Sequence, residues 1–266
     1  MSEGRSPAIR AEELTFAYED GPPVVRGVDL TVEDGTVVAL MGPNGAGKTT
    51  LLKLLAGLYD PDEGTVTVDG ATGFAAEDPA DALFAETVAE EVAFFPRNRG
   101  LDVEARVEAA LEAMGIEHLR DRTPQSLAVG EQRRVSLAAV LAGDPAVVAL
   151  DEPTSGLDAP HVETLGDRLR AIDRTVVVAT HDADFALRWT DRVAVVTAGT
   201  VAASGSAEDL LGDPGFDFEG VGIRPPGPVA FAREQGWGEV PLTVEAAAER
   251  LERADAAGDG EGEEPR

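Results

Sequence analysis

The run Gly42-Pro43-Asn44-Gly45-Ala46-Gly47-Lys48-Thr49-Thr50 fits G-x-x-x-x-G-K-[ST], the spacing of a phosphate-binding loop. Its glycines let the backbone fold into a nest of N–H groups, and the helix that follows points its positive end at the anion. Lys48 is placed to neutralise β- and γ-phosphates, and the Thr49 hydroxyl to ligate Mg²⁺.

A second run, Val147-Val148-Ala149-Leu150-Asp151-Glu152, is an apolar strand ending in two carboxylates. Asp151 is the candidate for the Mg²⁺ water shell and Glu152 for polarising an attacking water. His181 follows the buried run Thr175–Thr180. It reads either as a contact to the γ-phosphate that orients the water or as a structural histidine. His118 and His161 lie in exposed helical contexts and carry no expected role.

Alternating or continuous apolar patterns predict strands over Ile9–Tyr18, Val24–Val32, Val37–Met41, Thr65–Val68, Ala146–Leu150, Thr175–Thr180 and Val193–Val196. Helices are expected after the glycine loop and over Val103–Met114, Arg133–Leu141 and Ala159–Ile172. Strands that alternate with helices imply an α/β fold with a mostly parallel, helix-covered sheet. The N-terminal strands are expected to form an antiparallel sheet beside it, and residues 81–143 an inserted helical subdomain. Residues 1–211 then make one nucleotide-binding domain. Residues 212–254 form a small extension with a short helix over Val244–Ala254. The Gly-rich acidic tail, 255–266, is expected to be disordered.

The chain has 266 residues, no cysteine and a formal charge of −28. Disulfides and thiolate metal sites are excluded, and the three histidines are too scattered to suggest a metal cluster. No leader and no membrane-spanning run are expected, so the reading is a soluble chain whose membrane role runs through a partner. So negative a field repels phosphate backbones, which argues against nucleic acid as a partner. Lys48 and Lys53 are the only lysines. Scarce lysine with abundant carboxylate resembles the cytosolic proteins of salt-loving archaea.

The Walker-type loop, the Asp151-Glu152 strand end, Ser155-Gly156-Leu157-Asp158 and His181 occur in this order and together resemble the ATP-binding-cassette ATPases, over about residues 8 to 211. The resemblance implies a RecA-like P-loop core with an antiparallel β subdomain and a helical subdomain. It implies two subunits that sandwich two ATPs, each held between one loop and the other subunit's signature. Ser155 to Asp158 match the D-loop, and Tyr18 matches the aromatic that stacks on adenine, with a core aromatic as the alternative. The stretch from Asp78-Pro79 through Thr87-Val88-Ala89-Glu90-Glu91-Val92-Ala93-Phe94 to Pro96-Arg97-Asn98 is similar to the ATPases of energy-coupling-factor importers. Pro225–Val244 is similar to that subfamily's C-terminal extension, which helps hold the ATPase dimer together. The implied partners are a second ATPase subunit, a transmembrane coupling subunit and a substrate-binding membrane subunit. The implied place is the cytoplasmic face of the cell membrane.

Two positions depart from the family. Glu77 stands where the family has a Mg²⁺-sensing Gln. The family's Leu-Ser-Gly-Gly-Gln maps to Leu127-Ala128-Val129-Gly130-Glu131. Ala128 removes a hydrogen bond to a charged group, of the order of 1.5–3 kcal/mol. Val129 resembles cobalt-type members, which carry a bulky residue there, and Glu131 has precedent in the family; together they favour cobalt as cargo, then nickel or biotin. The alternatives are a soluble ATPase with no transport role and a weakly hydrolysing regulatory partner of a second ATPase subunit.

Overall fold

The computed structural model describes residues 6–19, 21–238, 240, 246–251 and 253. Strands β1 (Pro7–Phe16) and β2 (Val25–Glu33) alternate buried with exposed residues, as strands with one wet face do. β3 (Val37–Met41) is buried at every position. It leads through the glycine loop into helix α1 (Lys48–Leu55). β4 (Glu63–Val68) and β5 (Thr72–Ala75) follow, and then a helical stretch of α2 (Val88–Val92), α3 (Phe94–Arg99), α4 (Val103–Met114) and α5 (Val129–Ala142). The chain continues as β6 (Val147–Asp151), α6 (Ala159–Ala171), β7 (Thr175–Thr180), α7 (Ala183–Trp189), β8 (Arg192–Thr197), β9 (Thr200–Ser206), α8 (Ala207–Leu211) and α9 (Gly227–Glu234).

β2, β1 and β4 form an antiparallel sheet in that order. The larger sheet runs β5-β6-β7-β3-β8-β9 and is parallel except for its last strand. Both of its faces are covered, which is why β3, β6 and β7 are continuous apolar runs. Val38, Leu40, Val147, Ala149 and Val177 pack against α1 and the antiparallel sheet. Val148, Leu150, Val176 and Val178 pack with residues of α4, α5 and α6. Ala39 and Met41 join Val193 and Val195 under Phe218, Ile223 and Val229, so residues after Leu211 continue the core.

The register of the parallel strands assembles the site. Met41 pairs with Thr180, Asp151 with Ala179, and Ala75 with Leu150. The carboxyl ends of β5, β6, β7 and β3 are therefore level, and ligands in open α/β sheets bind beyond such ends. Residues 77, 151–152, 181 and 42–50 leave from that one edge.

Within the helical subdomain, hydrogen bonds fix the loop that precedes α2. Buried Glu91 accepts the Phe84 and Ala85 N–H groups at 2.9 and 2.8 Å. Gln125 Nε2 donates to the Leu83 carbonyl at 2.9 Å. This bracing leaves Phe84 63% exposed and in edge contact with Phe94, which meets Phe95 in turn. The helix expected over Val244–Ala254 is present at residues 246–251 and 253, its other positions and the tail 255–266 lying outside the described residues.

Candidate functional site

The loop between β3 and α1 takes its shape from glycine. Gly42, Gly45 and Gly47 have φ of 155°, 80° and 100°. A Cβ on Gly42 would stand 2.1 Å from the Val196 carbonyl oxygen, and one on Gly47 would stand 2.8 Å from that of Val24. Only glycine fits both places. The first turn of α1 carries no acidic residue, so the positive end of the helix is uncompensated. Ala46 is buried beneath the loop, while Asn44 and Gly45 face an open cleft of about 380 Å³. Lys48, Thr49, Thr50, Glu77, Glu152 and His181 line the same cleft.

Buried Lys48 donates from Nζ to the Gly42 carbonyl at 2.9 Å and to that of Pro43 at 3.3 Å. Its Nζ is also 3.5 Å from Glu152 Oε1. The loop thus holds its lysine extended along its own backbone, with the ammonium facing the cleft. Thr49 Oγ1 donates to Asp151 Oδ1 at 2.9 Å, which places a hydroxyl and a carboxylate side by side. Burial pushes the Asp151 carboxyl above the ordinary carboxylate range; the Thr49 hydrogen bond opposes this, and Glu152 and Glu77 add to it. A cation beside Asp151 would relieve that penalty. Among the described residues no group of three His, Asp or Glu side chains forms a metal cage. Mg²⁺ keeps waters and phosphate oxygens in its shell and takes only one or two protein ligands, and the adjacent Thr49 hydroxyl and Asp151 carboxylate are oxygen donors of that kind. Thr49 and Asp151 are the residues that would hold it, with exposed Glu77 at the cleft wall.

Glu152 is buried and stands at φ 41°, in the left-handed region. Its N–H donates to the Ala179 carbonyl of β7 at 2.8 Å. Oε2 lies 2.9 Å from His181 Nδ1, and an ionised carboxylate only accepts, so the ring nitrogen carries the proton. His181 is brought to Glu152 as a partner, not buried as a core histidine: its side chain is 60% exposed.

Tyr18 lies just beyond β1 and is 45% exposed, with its hydroxyl 3.0 Å from Thr50 Oγ1. Its ring meets Phe16 and Tyr59 edge-on at 5.1 and 5.9 Å. The ring is thus anchored by two aromatic neighbours and by Thr50, and nearly half of it stays exposed beside the phosphate loop.

The segment Leu127 to Glu131 does not line this cleft. Leu127 is buried, Ala128 is the N-cap of α5, and Val129 is 51% exposed. Glu131 reaches back to accept the Ala128 N–H at 3.1 Å. Gly130 lies against His161 and Leu157, each 3.3 Å from where its Cβ would be. Ser155, Gly156 and Leu157 form the turn after Glu152, and Asp158 caps α6 by accepting the His161 N–H at 3.1 Å. His161 Nδ1 also bonds the Asp158 carboxylate, so a histidine given no role from sequence joins this turn to the α5 N-terminus.

Sequence reasoning also gave no role to Arg133. Its Nη1 donates to the Glu152 carbonyl at 3.0 Å, and its Nη2 to those of Glu77 and Ser155 at 2.9 and 3.0 Å. Burial pushes the guanidinium below its usual value, against the pull of Glu77 and Asp78.

Residues 25–155 match the family described as ABC transporter. The cobalt import ATP-binding protein CbiO of Rhodobacter capsulatus is 41% identical, over 83% of this chain and 86% of that protein. The energy-coupling factor transporter ATP-binding protein EcfA of Carboxydothermus hydrogenoformans is 40% identical, over 76% of this chain and 82% of that protein. The structure of cbiO1 from Clostridium perfringens, part of the ABC transporter complex cbiONQ, superposes with a TM-score of 0.72 at 32% identity. It covers 77% of this chain and 90% of that one.

Proposed function

This chain belongs to the ABC transporter family and is an ATP hydrolase of that family, and we propose that it is the ATP-hydrolysing subunit of an energy-coupling-factor importer. Cobalt is the first choice of cargo, then nickel or biotin. The relatives named as cobalt import and energy-coupling factor ATP-binding proteins support this, each covered over more than four-fifths of its length. The sequence composition supports a halophilic source.

One observation carries the proposed assembly. The cleft is lined by Lys48, Thr49, Glu152 and His181, with Asp151 hydrogen-bonded to Thr49, while Ala128–Glu131 sits apart from it at the α5 N-terminus. A chain that holds both halves of a site but does not bring them together is completed by a second copy or a related subunit. The outer wall of each cleft is then the partner's Leu127–Glu131 segment, and residues 212–254 contribute to holding the pair.

In this arrangement Lys48 and the loop amides hold the triphosphate, and Tyr18 offers its exposed ring to the base. Mg²⁺, when bound, neutralises phosphate charge. Glu152 accepts the proton of the attacking water, and His181, bonded to Glu152, fixes the direction of its carboxylate. Among the described residues no helix is long and apolar enough to cross a membrane. The exposed Phe84, Phe94 and Phe95 supply an apolar face for a membrane subunit, with Glu91 and Gln125 fixing the loop that presents it.

The test is an affinity-tagged chain recovered from its source membranes in molar salt, with ATPase measured on the product. Two hydrophobic subunits and Mg²⁺-dependent ATPase are expected. Recovery with ribosomes or RNA, or alone, overturns the importer reading.

A further inference from the structure

Arg133 lies on α5, in the turn after Gly130, and is 7% exposed. Every hydrogen bond from its guanidinium goes to a backbone carbonyl, and its buried Nε has no partner among the described residues. The three acceptors come from two segments: Glu77 after β5, and Glu152 and Ser155 at the two ends of the turn after β6. The Ser155 N–H already closes that turn onto the Glu152 carbonyl at 3.1 Å. Arg133 therefore clamps the turn at both ends.

The clamp acts where the backbone needs it. Glu152 sits at φ 41°, a conformation rare for a residue with a Cβ, and such a residue stays in place only when its surroundings over-determine it. The Ala179 carbonyl fixes its N–H, and Arg133 and Ser155 fix its carbonyl. A planar fork of N–H donors holds three carbonyls in a set relation, which the point charge of a lysine does not. Among the described residues no carboxylate lies within bonding distance of this buried charge. Burying a guanidinium on neutral acceptors is a poor way to gain stability and a good way to set position.

α5 is one continuous helix. Its first turn carries Ala128–Glu131, and its next turn carries Arg133. We infer that Arg133 is a positioning residue that couples the segment offered to the second subunit with Glu152 and Glu77 of this chain's own cleft. In a pair of subunits each site then senses the other through one buried guanidinium. This inference rests on the paired-subunit reading above.

The test uses the full chain with Arg133→Lys, read by three measurements. Binding of a fluorescent ATP analogue with Mg²⁺ is expected to stay within about twofold, because Arg133 touches no part of the 42–50 loop. The kcat is expected to fall 10- to 100-fold, and the Hill coefficient for ATP to fall to one. Amide exchange without nucleotide is expected to quicken over residues 151–158 and around residue 77, and to stay unchanged over residues 42–55. Unchanged exchange over 151–158, or equal loss of binding, kcat and exchange protection throughout the chain, overturns the inference. If Arg133→Lys does not fold, Arg133→Gln is the second probe: it removes the buried charge and the three-carbonyl fork but keeps a planar amide. Exchange must then quicken over 151–158 and not over 42–55, and no change over 151–158 overturns the coupling. The exchange measurements need neither turnover nor a membrane partner. A chain that shows the coupling but no ATPase therefore defeats the functional reading and not this one.

Discussion

Lys48 Nζ and Glu152 Oε1 face each other across 3.5 Å at the floor of the cleft, both side chains nearly closed to solvent. The cation that serves the phosphates and the carboxylate that serves the water share one pocket. Glu152→Gln keeps the shape and removes the charge. Loss of a positioned base costs about 10²–10⁴ in rate, so kcat should fall at least about a hundredfold. Nucleotide affinity should hold or rise, since Lys48 loses a competing carboxylate. On a sizing column the variant should run as a dimer with Mg²⁺-ATP. A fall in kcat of less than about tenfold assigns the base elsewhere.

The exposed ring of Tyr18, bonded to Thr50 of the phosphate loop, leads to a second prediction. Stacking of a base on an aromatic side chain is worth about 1–3 kcal/mol. Tyr18→Ala should therefore weaken ATP binding on the order of 5- to 100-fold and leave kcat at saturating ATP little changed. Tyr18→Phe loses only the 3.0 Å contact to Thr50 Oγ1 and should bind nearly as the parent does. Equal binding by all three proteins, measured by titration, would return Tyr18 to a packing role.

Much of this arrangement is legible in the amino-acid sequence. β3, α4 and β7 have the bounds the sequence predicts, because a strand buried on both faces and a well-capped amphipathic helix each leave an unbroken pattern. β5 and β9 escape notice for the opposite reason. Thr72-Gly-Phe-Ala75 is short and half-buried, and β9 alternates with small residues that barely differ in polarity. The phosphate loop is contiguous, so a motif reveals it. Arg133 is hidden because its partners are carbonyls 19, 22 and 56 residues away, and a carbonyl has no sequence signature. The Glu131 carboxylate shows the same limit. Its identity is plain in the sequence, but its turn onto the Ala128 N–H is set by helix geometry.

A third prediction concerns the joint between subdomains. Asp144 bridges Arg106 of α4 and Arg174 beside β7, each at 2.8 Å, and Arg106 foremost holds its carboxyl below the ordinary range. A lowered folded pKa gives stability that is present above the unfolded value of about 3.9 and lost as pH falls through the folded value. All three side chains are about a third or more exposed, so the discounted worth is about 0.5–1 kcal/mol. Asp144 has φ 54°, which Asn tolerates, so Asp144→Asn isolates the charge. The variant should melt slightly lower at neutral pH and low salt. The gap should close in molar salt and again as pH falls through the lowered folded value of Asp144. A gap independent of salt would mean that the bridge acts through packing.

The N-terminus of α5 carries the last prediction, because there one substitution has two separable effects. Ala128 is an N-cap without a hydroxyl, its N–H held by Glu131 and its carbonyl accepting the Glu131 N–H at 2.9 Å. Serine at 128 would bond the Glu131 N–H and complete a reciprocal capping box. That alone should stabilise the chain by about 1 kcal/mol and raise Tm by about 2–4 °C without nucleotide. The same hydroxyl faces a partner's phosphate in the paired reading, where a hydrogen bond to a charged group is worth about 1.5–3 kcal/mol. Ala128→Ser should then raise ATPase on the order of tenfold or more. The two readouts separate the roles. A higher Tm with an unchanged rate means that position 128 only starts a helix and does not limit turnover. If both rise, Glu131→Gln in the serine background should raise the rate again, because the amide oxygen can still accept the residue 128 N–H while the charge that opposes the phosphate is gone.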